Sequence, residues 1–232
     1  MKRALVVPAV VLALVAAGCS DGRTEPEAED PQAVLAQAKS VLDEATSVHV
    51  VVTSEGVPPG ATGLRAAEGV AARPAAFDGE LEVSVGGSLV TVGVISIDGT
   101  VYAKTPFGPD YAPTDPAQFG LSDPAELLDD ETGVSSLLPA STDVRFGSEA
   151  RVDGEVVREI SAEIPGDVVE AVLTSADPAT PVQAVFSIAT ETGELRGAEL
   201  TGPFFDEGTD STYTIVLDGY GEPADISAPT TG

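Results

Sequence analysis

The sequence predicts an α+β fold in which one antiparallel sheet turns an apolar face toward a cover of helices. Three observations predict it. Short runs of β-branched residues are separated by glycine-rich turn pairs, so successive strands pair as hairpins. Within those runs apolar and polar side chains alternate, leaving one face greasy and the other wet. One long amphipathic helical pattern precedes them, and the strand–helix–strand alternation of a parallel sheet is missing.

The amino terminus comes first. Met1 to Gly18 has the form of a lipoprotein signal peptide: Lys2 and Arg3 are the positive head, Ala4 to Val15 the apolar core, and Ala16-Ala17-Gly18 the small-residue cleavage site. The apolar run is too short for an ordinary membrane span. Ala-Ala-Gly-Cys resembles a bacterial lipobox, with Ala16 where that motif more often has leucine. Cys19, the single cysteine, is then the lipidation site, and no intramolecular disulfide can form. Two acyl chains there give stable anchoring, where one gives only marginal binding. The expected location is the cell membrane, lipid-anchored on the extracytoplasmic side. Residues 19–30 are acidic and lack large apolar side chains, which predicts a disordered tether. The folded domain is expected over 31–232.

Asp30-Pro31 supplies a cap and a first-turn proline for a helix over PQAVLAQAKSVLDEATS. Val34, Leu35, Ala38, Val41, Leu42 and Ala45 fall on one face, as a lid over the sheet or as an ordinary core helix. Val48 to Glu55 reads as a strand holding the lone His49, and Gly63 to Arg73 as a weaker one.

Phe77 to Lys104 is the most informative stretch. Gly86-Gly87 and Asp98-Gly99 centre two hairpin turns, and counting outward pairs Val83 with Val90, Leu81 with Val92, Val94 with Ala103 and Ser96 with Val101. One face then carries Leu81, Val83, Val85, Val90, Val92, Val94, Val101 and Ala103, broken only by Ser88 and Ser96. The opposite face carries Glu80, Glu82 and Thr91 among others.

Asp115-Pro116 and Asp123-Pro124 each start a short helix, with Leu127, Leu128, Val134, Leu137 and Leu138 as the apolar positions of a second covering layer. Asp143 to Ile164 forms a hairpin about Asp153-Gly154, and Pro165 to Ser175 a short helix. Val182 to Thr190, Leu195 to Thr201 and Tyr213 to Leu217 complete the strands, before a Gly- and Pro-rich end.

Charge and chemistry narrow the function. The formal charge is −27, which argues against nucleic acid and against electrostatic docking on anionic lipid. With one histidine and no cysteine beyond Cys19, the chain lacks the nucleophile–base pairing of covalent catalysis. It also lacks a Gly-x-Ser-x-Gly elbow, a phosphate-binding glycine loop and a His-Glu-x-x-His motif. The expectation is a protein that is not an enzyme and uses no cofactor or metal. The acidic run Asp129-Asp130-Glu131 reads as solvated surface rather than a calcium site.

Several stretches in order carry a resemblance: GELEVSVGG at 79–87, IDGTVYA at 97–103, SDPAELLDDETGVSSLL at 122–138 and, more weakly, LDGYGE at 217–222. Together with the lipobox and the helix, they resemble the mycobacterial lipoprotein family of LprG, LppX, LprA and LprF, over nearly the whole chain after Asp30. The LolA and LolB carriers are similar in outline. The resemblance implies a half-barrel: a curved antiparallel sheet with helices on its concave face, enclosing an apolar cavity for acyl chains of lipids or glycolipids. Leu81, Val83, Val85, Val90, Val92 and Val94 are the expected lipid-binding wall, with Leu35 and Leu42 contributing from the helix. The residues alone leave two outcomes open, because small side chains can face a void or be matched by larger ones from the cover. Two functions follow. One is a monomeric carrier that takes acylated lipid between membrane and cell wall, with a lipid exporter as partner. The other is a lipid-anchored envelope sensor acting through protein contacts, with no ligand cavity.

Overall fold

The computed structural model describes residues 29–230, apart from 120, 153 and 207. The expected signal peptide, Cys19 and the tether as far as residue 28 lie outside the described residues.

The chain starts with helix α1, Pro31–Glu44, whose first turn is closed by the Asp30 carboxylate accepting from the Gln32 amide at 3.0 Å. Its buried stripe is Leu35, Ala38 and Leu42. A six-stranded meander follows: β1 Ser47–Glu55, β2 Gly63–Ala72, β3 Ala76–Val85, β4 Ser88–Ile97, β5 Thr100–Lys104 and the two-residue β6 Ala112–Pro113. The turns are those the sequence indicates. Gly86 and Gly87 have φ of 57° and 80°, and Asp98 and Gly99 have 52° and 70°. Positive φ at both central positions matches the right-handed twist of the flanking strands. All four predicted cross-strand pairs are present.

A second meander comprises β7 Thr142–Val152, β8 Glu155–Ile164, β9 Val182–Ala189, β10 Leu195–Asp206 and β11 Thr209–Asp218, with helix α3, Gly166–Val172, between β8 and β9. Two of these strands run longer than alternation predicts. Pro203 removes a backbone donor and the register shifts between Gly202 and Asp206, so the local pattern lapses there while pairing with β11 resumes at Asp206–Thr209.

The two meanders join where β1 pairs with β11, with Val50 opposite Leu217 and Val52 opposite Ile215. The result is one sheet in the order β6-β5-β4-β3-β2-β1-β11-β10-β9-β8-β7. Its edge strands β6 and β7 do not pair, so it stays an open half-barrel. The chain from β6 to β7 must therefore cross from one edge to the other. Residues 114–141 do so over the concave side, as 3₁₀ turns at Pro116–Phe119, Pro124–Leu128 and Val134–Ser136 and the short helix α2, Leu137–Ala140. The helices expected at Asp115 and Asp123 are single 3₁₀ turns, each capped by its aspartate: Asp115 accepts from Ala117 N at 3.0 Å and Asp123 from Ala125 N at 2.9 Å.

Candidate functional site

The space under the sheet is filled unevenly. Beneath β8 to β11 the inward side chains are large: Ile160, Phe186, Leu195, Leu200, Phe204 and Tyr213 are nearly or fully buried against α1, α2 and α3. Beneath β3 to β5, beyond Phe77 and Leu81, they are valine and alanine, and the cover there is a proline-punctuated run of 3₁₀ turns instead of a continuous helix. Short side chains under an intermittent cover cannot reach native packing density.

A cavity of about 290 Å³ remains at that place. This is far above the roughly 10–15 Å³ that admits one water. Leu81, Val83, Val85, Val90, Val92 and Val94, the six strand residues singled out from the sequence, all line it, with Val101 and Ala103 of the same face. The crossing segment supplies the opposite wall through Thr114, Pro116, Leu121, Ser122 and Pro124. Thr105 and Phe107 complete the lining, and the exposure of Phe107 (88%) and Val85 (42%) marks that end as the mouth.

A smaller hollow of about 70 Å³ lies deeper, among Val50, Val52, Phe77, Leu173, Tyr213 and Ile215. The two hollows share Leu81, Leu121, Ser122 and Pro124 as their partition. The deep hollow's Phe77 ring lies over Gly69 and Gly79, which face each other across β2 and β3. A Cβ on Gly69 would sit 2.5 Å from that ring, and one on Gly79 would collide with the Glu68 carbonyl. Glycine is needed at both positions for the ring to lie flat on the sheet.

Leu35 and Leu42 fall elsewhere. They are 0% and 1% exposed within the packed core beneath α1, and line neither hollow. The crossing residues that do form the second wall were not singled out from the sequence. Their signal lay in the paired Asp-Pro caps: each N1 proline sits at the start of a turn whose aspartate is tied down, and Pro116 and Pro124 both line the cavity.

No ionisable side chain lines the larger cavity among the described residues, and Tyr213 is the single one on the smaller. Burial pushes the Tyr213 phenol above its ordinary pKa, and its hydroxyl donates to the Leu64 carbonyl at 3.1 Å. The one buried polar break in the strand wall, Ser96, donates to the Asp123 carboxylate at 2.6 Å. The same oxygen caps the Pro124–Leu128 turn. This shared acceptor fastens the cover to the sheet beside the cavity. The larger cavity's lining is aliphatic and aromatic carbon, proline and the hydroxyls of Thr105, Thr114 and Ser122, with no charged side chain, which suits it to desolvate a hydrocarbon chain.

The remaining polar groups have structural surroundings. His49 Nδ1 lies 2.9 Å from Asp218 Oδ1, across the β1–β11 seam that joins the meanders. Asp129 accepts from the Glu131 amide, the Thr132 amide and the Thr132 hydroxyl, each at 2.9 Å, and these bonds hold its carboxyl below the usual range. Asp130 pairs with Arg73 at 2.8 Å. No group of three or more metal-ligating side chains is gathered among the described residues. No helix among them is long and apolar enough to cross a membrane.

An open half-barrel that keeps an aliphatic hollow under its concave face has the shape and lining of a site for apolar ligands. Residues 30–226 match the model of the LppX_LprAFG lipoprotein family, and the chain belongs to that family. Lipoarabinomannan carrier protein LprG of Mycobacterium tuberculosis H37Rv is 27% identical, over 98% of this chain and 95% of the relative. LprG of Mycobacterium bovis AF2122/97 matches to the same extent. Among solved structures, LprF of Mycobacterium bovis superposes with a TM-score of 0.72 at 19% identity, covering 87% of this chain and 97% of that one. LppX of Mycobacterium tuberculosis gives 0.62 at 21% identity, covering 85% and 98%. These two share the fold described above.

Proposed function

We propose that this protein is a cell-envelope lipoprotein, anchored on the extracytoplasmic side of the membrane through acylated Cys19, that binds the acyl chains of lipids or glycolipids in the cavity under β3–β5. In this reading residues 1–18 are removed as a signal peptide, 19–30 form the tether and 31–232 the binding domain. The cargo moves between membrane and cell wall, with a lipid exporter as the partner that supplies it. The protein acts as a monomer in this reading.

The observation that carries the reading is the 290 Å³ hollow with a wholly aliphatic strand wall. Exposing an acyl chain to water costs roughly 0.8 kcal/mol per methylene. About fifteen methylenes therefore cost on the order of 12 kcal/mol, which such a wall largely offsets. The LprG relatives are named lipoarabinomannan carrier proteins, which supports an acylated glycolipid as cargo class. The test is mass spectrometry of the protein purified from an actinobacterial host, before and after extraction with organic solvent. Stoichiometric acyl lipid, released by the solvent, is expected. A lipid-free protein that takes up no acyl lipid on mixing overturns the reading.

A further inference from the structure

We propose that the tip of the β3–β4 hairpin and the Phe107 loop form a docking rim that seats the cavity mouth on a bilayer surface. This rests on the lipid-binding reading above and names the surface with which that site exchanges cargo.

Five large hydrophobic side chains are exposed among the described residues, and three of them, Val85, Leu89 and Phe107, belong to this rim. Val85 and Phe107 also line the cavity. Leu89 does not. It is opposite Ser84, one pair below the turn, on the outer face of the hairpin, and it is 61% exposed. A hairpin that only covers a core is apolar on one face and polar on the other. This tip is apolar on both, which suits a medium that is apolar on both sides of it. Between Val85 and Leu89 the chain is Gly86, Gly87 and Ser88, which carry no charge.

Charge selects the partner. The chain carries 38 acidic residues, yet none of its ionisable side chains falls within residues 83–97 or within 105–109. The two uncharged segments meet at the mouth. A protein-binding rim carries polar and charged side chains around its apolar centre. Here the apolar residues are the outermost ones, as in segments that enter the membrane interface. The remaining surface, being acidic, gains nothing from anionic headgroups, so docking is driven by insertion and is independent of salt. Seated in this way, the mouth opens directly onto the acyl region, and a chain passes between bilayer and cavity without crossing water.

The protein has no tryptophan, so a single introduced indole reports its own surroundings. The experiment places Leu89→Trp in the full chain and adds phosphatidylcholine vesicles with or without bromine on the acyl chains. Leu89 faces away from the cavity, so bound cargo does not reach the probe. The expected result is a blue shift with strong quenching by brominated lipid, unchanged by salt, while Phe146→Trp on the opposite edge strand stays unquenched. Adding Phe107→Asp to the Leu89→Trp chain lowers the vesicle-dependent quenching by about tenfold. The rim is overturned by an unshifted, unquenched indole at 89, by equal quenching at 146, or by a blue shift that tracks protein concentration without vesicles, which assigns the rim to a second copy. Solvent extraction of the same protein preparation before vesicles are added separates the two proposals. A rim that fails while the cavity holds or takes up lipid leaves the carrier reading standing, whereas a protein that holds no lipid and takes none up removes both.

Discussion

Leu81 offers the sharpest test of the cavity, because it is 9% exposed, pairs with Val92 and stands in the partition between the two hollows. Its replacement by tryptophan fills space that the native protein leaves empty. An indole presents roughly 100 Å² more apolar surface than an isobutyl group. At about 25 cal/mol per Å², and about 0.8 kcal/mol per methylene, this is the area of roughly three methylenes of ligand. Losing them from the cavity costs about 2.4 kcal/mol, or a roughly fifty-fold weaker acyl-lipid affinity. The matching control is Leu200→Trp. Leu200 also faces inward, but it is 0% exposed in the filled half beneath β10, where overpacking costs about 1–3 kcal/mol of stability. Leu81→Trp is expected to unfold within a few tenths of a kcal/mol of the parent and to lose lipid, whereas Leu200→Trp is expected to keep lipid affinity and lose stability. Denaturant unfolding and titration with a fluorescent fatty acid read the two effects. If both variants are destabilised alike and Leu81→Trp binds lipid as the parent does, the hollow is not the binding site.

Three further outcomes follow from the geometry. Gly79→Ala forces a Cβ onto the Glu68 carbonyl and within 2.8 Å of the Phe77 ring, so it is expected to lower stability by about 1–3 kcal/mol in urea unfolding. Ser96→Ala removes the 2.6 Å charge-assisted bond to Asp123 and is expected to cost about 1.5–3 kcal/mol, with faster hydrogen exchange at Ala125 and Glu126 as the cover loosens. Asp129→Ala removes the acceptor for Glu131 and Thr132 and is expected to cost about 1 kcal/mol at neutral pH. The carboxyl is held below its ordinary pKa in the folded state, so its contribution is present above the unfolded value and is lost as pH falls through the folded one. The gap between parent and Asp129→Ala should therefore close in acid below the usual aspartate range. A gap that widens on acidification contradicts the assignment.

The β3–β5 wall was legible because both of its determinants are local. Gly86-Gly87 and Asp98-Gly99 set the turns, the turns set the register, and a period of two then assigns every side chain to a face. Leu35 and Leu42 were legible as buried and helical, but not as core rather than cavity wall, since helical spacing is the same for both. The pairing of β1 with β11 had no local signal, as it joins residues more than 150 positions apart.

The sequence by itself determined the hairpins, the aliphatic wall and the position of α1, because each depends on neighbours along the chain. Only the tertiary structure decided that a cavity exists. Whether valines face a void or a filling depends on what is laid over them, and that follows from the open sheet. With β6 and β7 at opposite edges, the chain must pass from one edge to the other; it does so over the concave face, and it crosses β3–β5 with prolines and 3₁₀ turns too sparse to fill the space.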